Sequence, residues 1–289
     1  MDRIKVMKCF KYFIVSLITV FSFNAHSYEI NKVTYASWDK PDVDLYYVLP
    51  KQVNQNTKVI FVIHGSSRDV KKYITPWLES IESKNIILVA PHFSSISYPN
   101  YALLEMATSS GKILTDQSKH LTDSISAFFT FFKNKYSLDV TNYRIFGFSG
   151  GSQFVHRYMM YGVDTRIERA VLGSAGWYTF LNNEPFPYGT KFMPIDRNRY
   201  EWFLTRKVLF LLGEEDNDPN HSSLNSSLGA KNQGKHRYDR GVNYFNSMIV
   251  FGEEFEIPFR WQYRSISDLD HDTETMTMYA IPFLLDDLD

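Results

Sequence analysis

Residues 143–146 are Tyr-Arg-Ile-Phe, a short β-rich run that leads without a break into Gly147-Phe148-Ser149-Gly150-Gly151. The residues that follow, Gln153, Phe154, His156, Arg157 and Tyr158, suit a helix. A strand that turns into a helix within five residues, three of them glycine, restricts the chain to a fold in which strands and helices alternate. The rest of the sequence agrees. Asp44 to Leu49, Val59 to Ile63, Ile86 to Ala90, Tyr143 to Phe146, Ala170 to Leu172, Val208 to Leu212 and Arg260 to Ile266 read as strands. Several are unbroken Val/Ile/Leu/Phe runs, as expected of strands covered on both faces. Asp116 to Tyr136 reads as a helix, because Leu121, Ile125, Phe128, Phe129 and Phe132 recur every three or four residues. Gly150 to Tyr161, Arg237 to Phe251 and Thr273 to Leu285 are the other expected helices. The fold class is therefore α/β, a mostly parallel central sheet flanked by helices. With 289 residues, 44% of them apolar, and no repeat or Pro/Ser linker to divide it, the chain can form one domain around a large core.

Two stretches break the alternation. Trp177 to Phe203 carries nine aromatic residues without a clear period, which predicts a small cap or loop inserted over residues 177–206. Its aromatic residues, with Tyr98 and Tyr101, either line an apolar acyl pocket or are plain core. Asn217 to His236 is rich in Ser, Asn and Gly and reads as surface loop.

The N terminus is set aside from the fold. Arg3, Lys5, Lys8 and Lys11 precede the apolar run Tyr12 to Phe23, and Ala25-His26-Ser27 has the small-x-small pattern of a signal-peptidase site. Residues 1–27 are expected to be a signal peptide and 28–289 the exported chain, periplasmic or secreted. The alternative is an uncleaved anchor, although the apolar run is well under the ~20 residues that span a bilayer. Cys9, the lone cysteine, leaves with the signal, so no disulfide can staple the remainder. Loss of Asp2 and those four bases leaves 27 basic and 31 acidic residues, a net of −4. Nothing in this balance provides the basic field that nucleic-acid binding requires.

Ser149 is the candidate nucleophile. At a tight strand-to-helix turn the residues two before and two after the serine have no room for side chains, and here they are Gly147 and Gly151. The hydroxyl then projects above the sheet at the positive end of the following helix. A phosphate-binding loop is the rival reading, but its lysine is missing. A serine hydroxyl reacts only when a base takes its proton, and the base needs an acid to orient it. His221, His236 and His271 come late enough to serve. His271 lies just beyond an expected strand and just before the last helix, where open α/β sheets assemble their sites; His221 and His236 fall in the polar loop. For the acid, Asp216 follows the strand Val208 to Leu212 and Gly213, with Glu215, Asp218, Asp270 and Asp272 as alternatives. Asp216-Asn217-Asp218 also opens like a calcium loop, but His221 and Ser227 occupy its glycine and glutamate positions, so that reading fails.

Acyl transfer also requires amide donors for the developing oxyanion. His64-Gly65-Ser66 follows the strand Val59 to Ile63, and the N–H groups of Ser66 and Gly150 are the expected pair, with His64 fixing the loop.

These residues together, His64-Gly65, Gly147 to Gly151, Asp216 after Leu-Leu-Gly and His271, resemble the α/β-hydrolase superfamily. Gly147 to Tyr158, Ala175-Gly176-Trp177-Tyr178 and Gln233 to Arg237 with Arg240-Gly241 look like exported bacterial esterases of the poly(3-hydroxybutyrate) depolymerase-like group. The resemblance spans roughly Val43 to Leu284. It implies hydrolysis of a small-molecule or polymeric ester through Ser149, His271 and Asp216, with no metal and no cofactor. A peptidase or amidase would use the same three residues, and a catalytically silent binding protein of this fold is the other alternative. Two features depart from the pattern. Gly150 stands where a larger residue is usual, and Asp270 and Asp272 bracket His271, which predicts an alkaline activity optimum.

Overall fold

The computed structural model describes residues 29–288; the signal sequence expected over residues 1–27 lies outside them. Eight strands form one sheet: β1 Asn31–Tyr35, β2 Val43–Val48, β3 Lys58–Ile63, β4 Ile86–His92, β5 Tyr143–Phe148, β6 Ile167–Gly173, β7 Lys207–Gly213 and β8 Gln262–Ile266. Their order is β1-β2-β4-β3-β5-β6-β7-β8. The first three neighbours pair antiparallel and the remaining strands are parallel.

The helices are α1 Val70–Ile74, α2 Leu78–Ile81, α3 Ser124–Tyr136, α4 Gly150–Tyr161, α5 Arg197–Thr205, α6 Leu228–Lys231, α7 Arg237–Glu254 and α8 Thr273–Leu285. They cover both faces of the sheet. Alternate residues of a strand point to opposite faces, so the unbroken apolar strands feed two cores. Val59, Phe61 and Ile63 of β3 join the one completed by Phe128, Phe129, Phe154 and Tyr244 of α3, α4 and α7. Ile60 and Val62 join the other, with Ile74, Trp77, Met276 and Leu284.

Several elements differ from the sequence reading. β1 has no strong apolar signature because it is an edge strand, with Asn31, Lys32 and Thr34 at least partly open to solvent. The helix expected from Asp116 begins only at Ser124. Asp116 folds its carboxylate onto the Ser118 N–H, a local cap that ends in one short turn. The Leu121 N–H then leaves the helical direction to bond the Leu104 carbonyl. The aromatic segment after β6 is an irregular excursion that closes in α5, whose N-cap Asp196 was concealed by the surrounding aromatics. Trp177, Tyr178, Phe186 and Phe203 are buried, and Tyr178 stacks on Tyr244 at 4.4 Å. Tyr98 and Tyr101 are buried as well, so these aromatics are mainly core.

The polar stretch after β7 is not simply surface. Ala230 and Gln233 are buried, and the Gln233 amide bonds both the N–H and the carbonyl of Tyr178, at 2.8 and 2.7 Å. Gln233 is inside because its amide satisfies a neighbouring loop's backbone.

Candidate active site

The turn after β5 holds Ser149 at φ 55° and ψ −118°, a conformation that a non-glycine residue adopts only under constraint. The constraint is visible. The Ser149 N–H donates to the Gly173 carbonyl of β6 at 2.9 Å, and α4 begins at the next residue. A Cβ on Gly147 would collide with the Gly151 carbonyl, and one on Gly151 with the Ile63 carbonyl. The two glycines are therefore required by close backbone approach.

The loops after β7 and β8 are tied together. The Glu214 N–H donates to the Ile266 carbonyl at 3.0 Å and the Glu215 N–H to the Leu269 carbonyl at 2.9 Å. This lashing brings Asp216 against His271. The ring's Nδ1 lies 2.6 Å from Asp216 Oδ2 and its Nε2 lies 2.9 Å from Ser149 Oγ. An ionised carboxylate only accepts, so Nδ1 carries the hydrogen and Nε2 is free to accept from the Ser149 hydroxyl. The Phe148 ring packs on the imidazole with centroids 4.7 Å apart. Asp216 is buried, whereas Ser149 and His271 are partly open, as a group that must meet a substrate has to be.

The alternative acids are engaged elsewhere. Asp272 caps α8 by accepting from Thr275 N–H at 2.8 Å, and Asp218 accepts from Asn220 N–H at 2.8 Å. Glu215 and Asp270 are exposed. Of the other histidines, His236 caps α7 through the Asp239 N–H. His221 is a surprise: far from lying idle on the surface, its ring centroid is 6.1 Å from that of His271.

Ser66 and Gly150 face one another. A Cβ built on Gly150 would lie 3.1 Å from Ser66 N and 2.6 Å from Tyr101 Oη. Among the described residues the Ser66 N–H has no hydrogen-bond partner, and Gly150 is the first residue of α4, where amide hydrogens are unclaimed by the helix. Tyr101 thus explains why the position after Ser149 is glycine: its buried hydroxyl fills the space and donates to the His64 carbonyl at 2.9 Å. His64 is completely buried, and that burial drives its imidazole down to about 3. Its Nε2 accepts from Phe93 N–H at 3.1 Å and its Nδ1 donates to the Gly65 carbonyl at 2.9 Å, so the neutral ring pins the loop that presents Ser66.

One participant was given no site role by the sequence reading. Arg237, buried at the start of α7, donates from Nη1 to Asp216 Oδ1 at 3.1 Å. Among the described residues, no three His, Cys, Asp or Glu side chains gather as a metal site.

An eight-stranded, mostly parallel sheet carrying a serine on a strained strand-to-helix turn is the α/β-hydrolase fold, and the chain is a member of that superfamily. The sequence matches no protein-family model and no curated protein. Solved structures are informative. Poly(aspartic acid) hydrolase-1 from Sphingomonas sp. KT-1 is similar with a TM-score of 0.82 and 27% identity, over 89% of this chain and 98% of that one. LpqC, a poly(3-hydroxybutyrate) depolymerase from Bordetella parapertussis, is similar with a TM-score of 0.81 and 23% identity, over 90% of each chain. A ferulic acid esterase follows with a TM-score of 0.55 and 16% identity, over 89% of this chain and 98% of that one. The neighbours are hydrolases, esterases and depolymerases among them.

Proposed function

We propose that the chain is an exported serine hydrolase of carboxylic esters. The observation that carries this reading is the hydrogen-bonded series Ser149 Oγ, His271, Asp216, with links of 2.9 and 2.6 Å. In the proposed reaction His271 Nε2 takes the Ser149 proton as Oγ attacks the acyl carbon, and Asp216 stabilises the imidazolium that results. The amides of Ser66 and Gly150 hold the oxyanion, a contribution worth ~2.7–4 kcal/mol per donor in comparable sites. His271 returns the proton to the departing alcohol. Water, activated by the same imidazole, then attacks the acyl-serine and releases the acid.

Amide hydrolysis is the second reading, since poly(aspartic acid) hydrolase-1 is among the neighbours and poly(aspartic acid) is linked through amides. The exposed carboxylates of Glu215, Asp218, Asp268 and Asp270, on the loops that carry Asp216 and His271, favour neutral substrates over a polyanion. Export rests on the N-terminal pattern, and among the described residues no helix is long and apolar enough to cross a membrane.

Stopped-flow hydrolysis of a p-nitrophenyl ester and of the matching p-nitroanilide tests the reading. An ester burst equal to the enzyme concentration, with little anilide turnover, is the expected result. Ser149→Ala should lose the burst and about 10⁴-fold or more in kcat; unchanged turnover in that variant would overturn the reading.

A further inference from the structure

Arg237 is an unfavourable place for an arginine. It is the first residue of α7, beside the N-cap His236, where the helix already presents positive partial charge. Its side chain is also only 2% exposed, so it forgoes hydration. Arg240, one turn further on and also buried, donates to the carbonyls of Gly234, Gly176 and Asn225. Two buried cations on one helical turn need a reason, and Asp216 supplies it for one of them.

The carboxylate of Asp216 is shared. Oδ2 accepts from His271 at 2.6 Å and Oδ1 from Arg237 Nη1 at 3.1 Å. The far end of the guanidinium is fixed too: Nη2 donates to Ser223 Oγ at 2.7 Å and lies 3.3 Å from His221 Nδ1. Because the guanidinium is a rigid plane, anchoring Nη2 fixes where Nη1 points, and so fixes the rotation of the carboxylate it grips.

We propose that Arg237 is a positioning residue of the hydrolase site: it locks Asp216 with Oδ2 toward His271, and its cation moderates the field that carboxylate exerts on the imidazole. The inference rests on the serine-hydrolase reading. The charged and titratable groups near His271 include Asp216 and His221 from the loop after β7, with Glu215 and Asp218 exposed on that loop and Asp268 on the loop after β8, and Arg237 with Arg240 behind it from α7. Asp270 and Asp272 belong to its own loop, with Lys72 of α1 facing Asp272. Of these, Arg237 is the cation that touches the carboxylate bonded to the ring. Without it, the unscreened carboxylate favours the imidazolium, and the free base is lost at a higher pH.

The test measures kcat and KM for p-nitrophenyl acetate from pH 4 to 9, with unfolding midpoints, for wild type, Arg237→Gln, Arg237→Lys and Ser223→Ala. Arg237→Gln should lower kcat by about 10- to 100-fold at nearly constant KM, short of the roughly 10⁴-fold expected when the acid itself is replaced. Its acid limb should move up by about half to one pH unit. Arg237→Lys keeps the charge but not the fork, so the limb should return to its wild-type position while the rate recovers only in part. Ser223→Ala leaves the ion pair and frees its far end, with a few-fold loss in kcat expected and no shift of the limb. Equal losses in the Gln and Lys variants with an unmoved limb would overturn the inference. If Arg237→Gln does not fold, wild-type kcat in Ser223→Ala overturns it instead. A wild-type chain inert toward every ester would bring down the hydrolase reading itself, an outcome distinct from either of these.

Discussion

Gly150→Ala is the sharpest probe of how the oxyanion donors are arranged. The added methyl would sit 2.6 Å from Tyr101 Oη and 3.1 Å from Ser66 N, where carbon and oxygen normally stay about 3.4 Å apart or more. Something must yield by most of an ångström. Tyr101 cannot swing away easily, being buried, bonded to the His64 carbonyl and stacked on Phe93 at 5.8 Å. The displacement therefore falls on the Gly150 backbone and on the Ser66 loop opposite it, which separates the two amides. Loss of one aligned donor corresponds to ~2.7–4 kcal/mol, or about 10²–10³ in kcat, with KM little changed. Stability should fall by about 1–3 kcal/mol, the usual cost of extra volume in a packed site, offset in part because alanine suits a helix better than glycine does. Removing the obstructing hydroxyl in Tyr101→Phe should return about tenfold of the lost rate in the double variant, while the single Tyr101→Phe change loses little activity. Steady-state hydrolysis of p-nitrophenyl butyrate by the four proteins reads the cycle. Activity of Gly150→Ala within about threefold of wild type, or a double variant no better than the single one, would refute the steric argument.

Two further outcomes concern the scaffold. His64 and His156 are buried with no exposed surface, and burial lowers both imidazoles, His64 to about 3. The unfolded chain binds protons on these rings near pH 6.5 while the folded chain does not, so their contribution is complete above that pH and lost as it falls. His64 alone should remove about 2–3 kcal/mol between pH 7 and pH 4.5. His156 acts in the same direction, and Glu105, whose carboxyl burial raises, partly opposes them. Urea titrations at the two pH values should show the drop; equal or greater stability at pH 4.5 would contradict it. Gly147→Ala should lower the unfolding free energy by about 2–4 kcal/mol, because its methyl meets the Gly151 backbone carbonyl rather than a movable side chain. A wild-type melting midpoint would show that the turn is looser than described.

The parts of this molecule that the sequence made legible are those governed by local chemistry. Unbroken apolar strands such as Val59 to Ile63 announce burial on both faces, and the spacing of glycines around Ser149 announces a turn without room for side chains. Strand ends could also be read as the place where Asp216 and His271 meet. What stayed hidden depends on partners distant in the chain. β1 is an edge strand whose residues carry no apolar run, and α5 lies among aromatics that obscure its Asp196 cap. Arg237 resembles an ordinary surface arginine until folding buries it against Asp216, and His221 an ordinary loop histidine until folding sets it beside His271. Gly150 invites the expectation of a loose turn, yet Tyr101, forty-nine positions earlier, leaves space for nothing larger. In each case the missing information was a contact, and single-sequence periodicity carries none.

The central claim is that the hydroxyl of Ser149 is a nucleophile activated by His271. A fluorophosphonate probe, which needs an activated serine, reports on this directly when the modified peptide is identified by mass spectrometry. The account predicts stoichiometric labelling of Ser149 in the wild-type protein and none in folded His271→Ala. A folded wild-type chain that remains unlabelled, or that is labelled at another serine, would contradict it.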